Sequence, residues 1–178
     1  MIETQRLLIR KFTLADLDAL ALMRADEEVS KYLGAAARHT REKVEERLRF
    51  YISCYEEYGF GVSGVTQKSD EKLIGWSGLQ PLEDSGEIEV GYAFDKPYWR
   101  QGFATEVASV WLRYGFEQAG LQRIVAVAVP ENIGSRRVME KLGMKFEKRA
   151  EHYETECVFY AISREEFKPI DSFYALHK

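Results

Sequence analysis

EIEVGYAFDKPYWRQGFAT, residues 87–105, decides how the rest of the chain is read. Residues 86–94 read as a strand, and Pro97 breaks it. A turn follows, and a helix runs from Gly102 to about residue 119. That order leaves unpaired main-chain N–H groups at a helix start, where they can receive an anion. Gly102 lets a ligand approach the backbone with no Cβ in the way, and Ala104 keeps the first turn small. The stretch therefore predicts an anion site fed by a strand that carries carboxylates.

The whole chain sets the bounds. Its 178 residues favour one domain, residues 1–178, and can bury a sizeable core. With 46% apolar and 30% charged residues it reads as globular. A net charge of −4 argues against nucleic-acid and membrane-surface partners and suits a cationic substrate, though it also fits an ordinary soluble surface. Cys54 and Cys157 give neither a disulfide framework nor a thiolate zinc site. His39, His152 and His177 are scattered, so no metal is expected. No apolar signal core or membrane-length run is present, and a cytoplasmic location is expected. Either a monomer or a homodimer is compatible.

Taken in order, residues 4–11 read as a strand. Thr13 caps a helix, and Thr40 caps a second that ends at Gly59. Between these helices lies a loop at 34–39. Residues 60–67 and 72–79 form a hairpin around the turn 68–71. Residues 123–129 are a buried strand ended by Pro130. Asn132 opens a short helix that Gly143 closes. Two more strands, at 145–153 and 156–163, lead into a polar tail. The expected fold class is α/β (α+β): a mixed, mostly antiparallel sheet with one parallel pair, 88–94 beside 123–129, joined by the Gly102 helix.

Four pieces in order then resemble the GNAT superfamily of N-acetyltransferases, near its ribosomal-protein-alanine branch. They are Thr4-Gln5-Arg6-Leu7-Leu8-Ile9-Arg10, Asp26-Glu27-Glu28-Val29-Ser30-Lys31-Tyr32-Leu33, Glu89-Val90-Gly91-Tyr92 with Tyr98-Trp99-Arg100-Gln101-Gly102-Phe103-Ala104-Thr105-Glu106, and Asn132-x-x-Ser135 with Lys141-Leu142-Gly143-Met144. The resemblance implies a central sheet of about seven strands flanked by about four helices. It also implies acetyl-CoA as co-substrate and a primary amine as acceptor. Two positions depart from the superfamily pattern. Trp99 stands where the motif has Gln or Arg, and Met139 stands where many members carry a tyrosine acid.

The amides of Arg100, Gln101, Gly102, Phe103, Ala104 and Thr105 are expected on the pyrophosphate. The resemblance places the pantetheine arm beside Tyr92, Ala93 and Phe94, with a main-chain N–H there facing the thioester oxygen. Glu89 is the candidate base, directly or through a water, and Glu87 is the runner-up on the same face. Ser135 is the candidate donor to the leaving thiolate, or else a helix-start serine bound to backbone. Asn132 is read as helix cap, pantetheine contact, or both. Three functions stay open: acetylation of a protein or peptide N-terminus, acetylation of a small amine (polyamine, aminoglycoside or amino acid), and non-catalytic acyl-CoA binding.

Overall fold

A computed structural model of the chain describes residues 1–34, 39–69, 71–170 and 173–177. The loop expected at 34–39 and the turn at 68–71 therefore fall partly outside the described residues. In chain order the elements are β1 (Ile2–Thr4), β2 (Leu7–Lys11), α1 (Leu17–Ala25), α2 (Glu27–Ser30), α3 (Arg41–Glu57), β3 (Val62–Gln67), β4 (Leu73–Pro81) and β5 (Ile88–Phe94). They continue with α4 (Phe103–Glu117), β6 (Arg123–Ala128), α5 (Ile133–Lys141), β7 (Lys145–His152), β8 (Thr155–Ser163) and β9 (Tyr174–Leu176). The strands form one sheet in the order β7-β8-β6-β5-β4-β3-β2-β1-β9.

The fold class holds: every pairing is antiparallel except β5 with β6. The strand and helix numbers are corrected, to nine strands and five α-helices among the described residues. One extra strand arises because the opening segment breaks at Gln5-Arg6 into the antiparallel pair β1–β2. The break is anchored across the molecule. Thr4 Oγ1 donates to Glu106 Oε1 at 2.6 Å, and Arg6 Nε donates to Glu106 Oε2 at 2.7 Å. The other arises in the tail, where β9 pairs with β1. The extra helix is the single turn α2, capped by the Asp26 side chain on the Glu28 N–H.

The two larger apolar clusters lie on opposite faces of the sheet. On one face Val107, Trp111 and Leu112 of α4 and Met139 of α5 pack against Leu79, Val90, Phe94 and Ile124. On the other, Leu20 and Met23 of α1, Val44, Leu48 and Tyr51 of α3, and Trp76 of β4 form a second cluster. Strand alternation divides β5 between them. Val90 and Phe94 face the α4 side. Glu89 pairs with Gln80 and Ala93 with Trp76, so both face the α1–α3 side.

Candidate active site

The turn before α4 is built to receive an anion. Arg100 (φ +61°) and Gly102 (φ +81°) occupy the left-handed region, and Gln101 between them does not. This alternation curls successive N–H groups into a concave nest. Among the described residues no protein acceptor takes the main-chain N–H groups of Arg100, Gln101, Gly102, Phe103, Ala104 or Thr105. Arg6 braces the turn from β1–β2: its Nη1 donates to Gln101 O at 2.9 Å and its guanidinium lies 4.4 Å from the Phe103 ring centre. Trp99 braces the other end by donating Nε1–H to Phe94 O at 2.7 Å. The unusual residue in the motif thus fixes the strand end and leaves the loop amides free.

Beside this turn the sheet opens. The parallel pair β5–β6 is joined at one register position, Glu89 with Val125. Beyond it the strands part, and a cleft runs between Gly91–Tyr92 on one side and Val127–Ala128–Val129 on the other. An extended chain laid in that gap could use main-chain groups that neighbouring strands would otherwise take. The nest and the gap together suit a pyrophosphate joined to an extended arm.

Glu89 sits at the closed end of the gap and is 4% exposed. Its Oε1 accepts from Gln80 Nε2 at 2.5 Å and from the Tyr153 hydroxyl. Among the described residues no protein donor takes Oε2, and the residue lines the cleft. Burial pushes its carboxyl above the usual carboxylate range, while the bonds from Tyr153 and Gln80 and the charge of Arg47 pull it down. Hydrogen bonds to a charged group contribute about 1.5–3 kcal/mol each. The effective penalty for burying an ion is several kcal/mol. Glu87 does not share the site. It precedes β5, pairs with Arg123 Nε at 3.1 Å and is not among the cleft-lining residues, so the runner-up base is not brought into the cleft.

On the opposite face α5 supplies the other polar groups. Asn132 is its N-cap, with Oδ1 accepting the Ser135 N–H at 3.0 Å. The capping oxygen is committed, and the side chain also lines the cleft. Ser135 Oγ lies 3.1 Å from the Tyr92 hydroxyl, which also donates to Ser135 O at 3.2 Å. Burial pushes the Tyr92 phenol above its ordinary value. Met139 follows one turn on, buried against the cleft. Ala93 and Phe94 are only partly engaged: Phe94 turns into the α4 core, and Ala93 packs toward the α1–α3 cluster.

Tyr153 lines the cleft, as do Arg24, Arg47 and Gln80, and these last three have no signal in the sequence. Tyr153 is fixed by an unusual turn. Tyr153 (φ +54°) and Glu154 (φ +61°) both take left-handed conformations between β7 and β8, without glycine or asparagine. The Glu83 carboxylate holds this turn, accepting the Tyr153 N–H at 3.0 Å and lying 3.0 Å from His152 Nδ1. A tyrosine borne on a backbone conformation that costs about 1–2 kcal/mol per residue is thereby aimed at Glu89.

The comparisons with known proteins agree with this geometry. Residues 6–145 match the sequence profile of the acetyltransferase (GNAT) domain. The uncharacterized N-acetyltransferase YoaA of Bacillus subtilis is 32% identical over 83% of this chain and 84% of its own. A solved GNAT-family acetyltransferase from Bacillus anthracis superimposes with a TM-score of 0.75 at 31% identity, covering 93% of this chain and 99% of that one. At 21% identity and TM-score 0.74, a ribosomal-protein-S5-alanine acetyltransferase from Vibrio fischeri shares the fold, over 94% of this chain and 98% of its own. The chain belongs to the GNAT family and is an acetyl-CoA-dependent N-acetyltransferase. Among the described residues no helix is long and apolar enough to cross a membrane.

The burial of Glu89 carries a stability prediction. Its folded pKa is raised, so the unfolded chain ionises first as pH rises and the folded state is disfavoured above the ordinary carboxylate range. Glu89→Gln keeps an oxygen for Gln80 and Tyr153 and removes the charge. Thermal melts should show a higher Tm for the variant at pH 8 and no difference near pH 4. An unchanged Tm at pH 8 would contradict the assigned direction.

Proposed function

We propose that the chain acetylates the N-terminal α-amine of a protein or peptide by direct attack in a ternary complex. The observation that carries this reading is the unpaired Oε2 of a buried carboxylate at the closed end of the parted strands. Acetyl-CoA supplies the activated acetyl group as a thioester. The amides of residues 100–105 are assigned to its pyrophosphate. Tyr92, Ala93 and Phe94 provide main-chain groups along the pantetheine arm, and a main-chain N–H of that segment stabilises the developing oxyanion.

Glu89 is assigned as the base, directly or through one water. The C–N bond forms, Glu89 receives the amine proton, and the C–S bond breaks. An α-amine has a pKa of about 8 and a lysine amine about 10.4. A carboxylate raised by burial is a stronger base than usual but remains far better matched to the first. The α-amine is therefore preferred over lysine and over simple alkylamines. Ser135 reaches the leaving sulfur from the α5 face. A serine hydroxyl is a weaker acid than a thiol, so Ser135 donates a hydrogen bond to the thiolate and keeps its proton. Tyr92 holds that hydroxyl in place by donating to Ser135 Oγ, which leaves the serine proton for the sulfur. Met139 has no proton to donate, so this bond takes over the position usually served by a tyrosine.

Glu89→Gln should lower kcat by about 10²–10⁴-fold and abolish the acidic limb of the pH–rate profile. Tyr153→Phe removes a bond that favours the ionised carboxylate, so the limb should move to higher pH. Thiol release across pH 5–10 measures both, and an unmoved limb in both variants would eliminate Glu89 as base. Ser135→Ala should lower kcat roughly tenfold with little change in the KM for acetyl-CoA, in line with the loss of one charge-assisted bond. Wild-type kcat in that variant would remove Ser135 from the reaction.

A further inference from the structure

The cleft around Glu89 holds more positive charge than its carboxylate balances. Among the described residues that line it, the charged side chains are Arg24, Arg47 and Glu89. Arg24 is 6% exposed, yet among the described residues it has no ion-pair partner. Among the described residues its Nη2 donates to Tyr51 Oη at 3.3 Å, and its buried Nε has no acceptor. Arg47 likewise has no carboxylate within ion-pair distance among the described residues. It lies 5.5 Å from the Phe50 ring centre, 5.9 Å from Tyr51 and 5.6 Å from Tyr153. The two guanidiniums thus flank Tyr51, one at its hydroxyl and one over its ring.

A buried arginine ordinarily meets a carboxylate, because leaving its donors unpaired costs more than a neutral group would. Here the fold supplies aromatic faces and a phenol instead. Cation–π contacts partly compensate the charge and leave the guanidinium donors free for planar bidentate recognition. Arg24 reaches the cleft from α1 and Arg47 from α3. Glu89 faces them from β5, on the same side of the sheet. The overall charge of −4 is thus reversed locally where the acceptor must sit.

We infer that the acceptor carries a carboxylate a few bonds from its reacting amine, and that Arg24 and Arg47 bind this carboxylate while the amine faces Glu89. This rests on the N-acetyl transfer assigned above and narrows its acceptor. Polyamines and aminoglycosides, which bring several positive charges to two arginines, are disfavoured. The carboxylate can be the α-carboxylate of a free amino acid or the side chain of an acidic residue at a peptide N-terminus. Both offer the same chemistry to the arginines.

The test is thiol release from acetyl-CoA with four acceptors at one pH: aspartate, a peptide beginning with Asp, the matching peptide beginning with Asn, and spermidine. Wild-type kcat/KM should be roughly 10- to 100-fold higher for an acidic acceptor than for the Asn peptide, the range of a charge-assisted bond. The Asp peptide is expected to lead; a lead by free aspartate would keep the carboxylate site and replace the peptide acceptor proposed above. Arg47→Gln, at a half-buried position, should remove most of that ratio and leave the KM for acetyl-CoA unchanged. Arg24→Lys should also reduce it, with far-UV circular dichroism checking the fold. Comparing acidic and neutral acceptors at one pH cancels any effect of Arg47 on Glu89. Equal kcat/KM for the Asp and Asn peptides, or a ratio untouched by Arg47→Gln, would overturn the inference and leave N-acetyl transfer standing. No thiol from any acceptor would overturn both.

Discussion

The parallel pair β5–β6 is the constraint on which the molecule depends. It is joined at Glu89 and Val125 and then parts. A fully paired sheet at this place would have no room for an extended arm and no unpaired main-chain groups to hold one. The opening is sustained from both sides. β4 pairs with β5 through seven register positions, from Gly75–Phe94 to Pro81–Ile88, and β8 pairs with β6 through six. Each strand of the gap is thus fixed by its outer neighbour, and helices pack on both faces near it. The residue at the joint is also the buried carboxylate, so the point where pairing stops is the point where the chemistry is assigned.

Placing Glu89 there has a physical cost that the surroundings only partly offset. Its hydrogen bonds favour the ion, burial disfavours it more, and the net effect is a carboxyl raised above its ordinary range. A poorly solvated carboxylate is less stable folded and a better proton acceptor, a trade expected at a working site. The strained turn that presents Tyr153 belongs to the same economy, since Glu83 on the β4–β5 connection holds it from outside.

Much of this was legible in the sequence, for local reasons. The strand, breaker and glycine order across residues 87–105 carries its own punctuation, so the turn before α4 and the role of Gly102 could be read directly. The caps Thr40 and Asn132 are likewise written beside the helices they start. What escaped depends on distant partners. The break at Gln5-Arg6 is stabilised by Glu106, about a hundred residues away. β9 is a strand because β1 offers an edge, and three residues of a polar tail give no periodicity to detect. Glu87 shares the two-residue spacing with Glu89, but the strand starts after it and Arg123 draws it aside. Arg24, Arg47 and Gln80 come from three separate elements and meet only in the folded chain. The Tyr153-Glu154 turn lacks the glycine or asparagine that would have announced it.

Hydrogen–deuterium exchange reads the main-chain groups of the parted strand and of the turn before α4 directly. Adding acetyl-CoA should slow exchange of the amides at residues 91–94 and 100–105. β9, the outermost strand at that edge of the sheet, should be unaffected. Protection confined to other segments, with residues 91–94 and 100–105 unchanged at saturating acetyl-CoA, would contradict the assignment of acetyl-CoA to these groups.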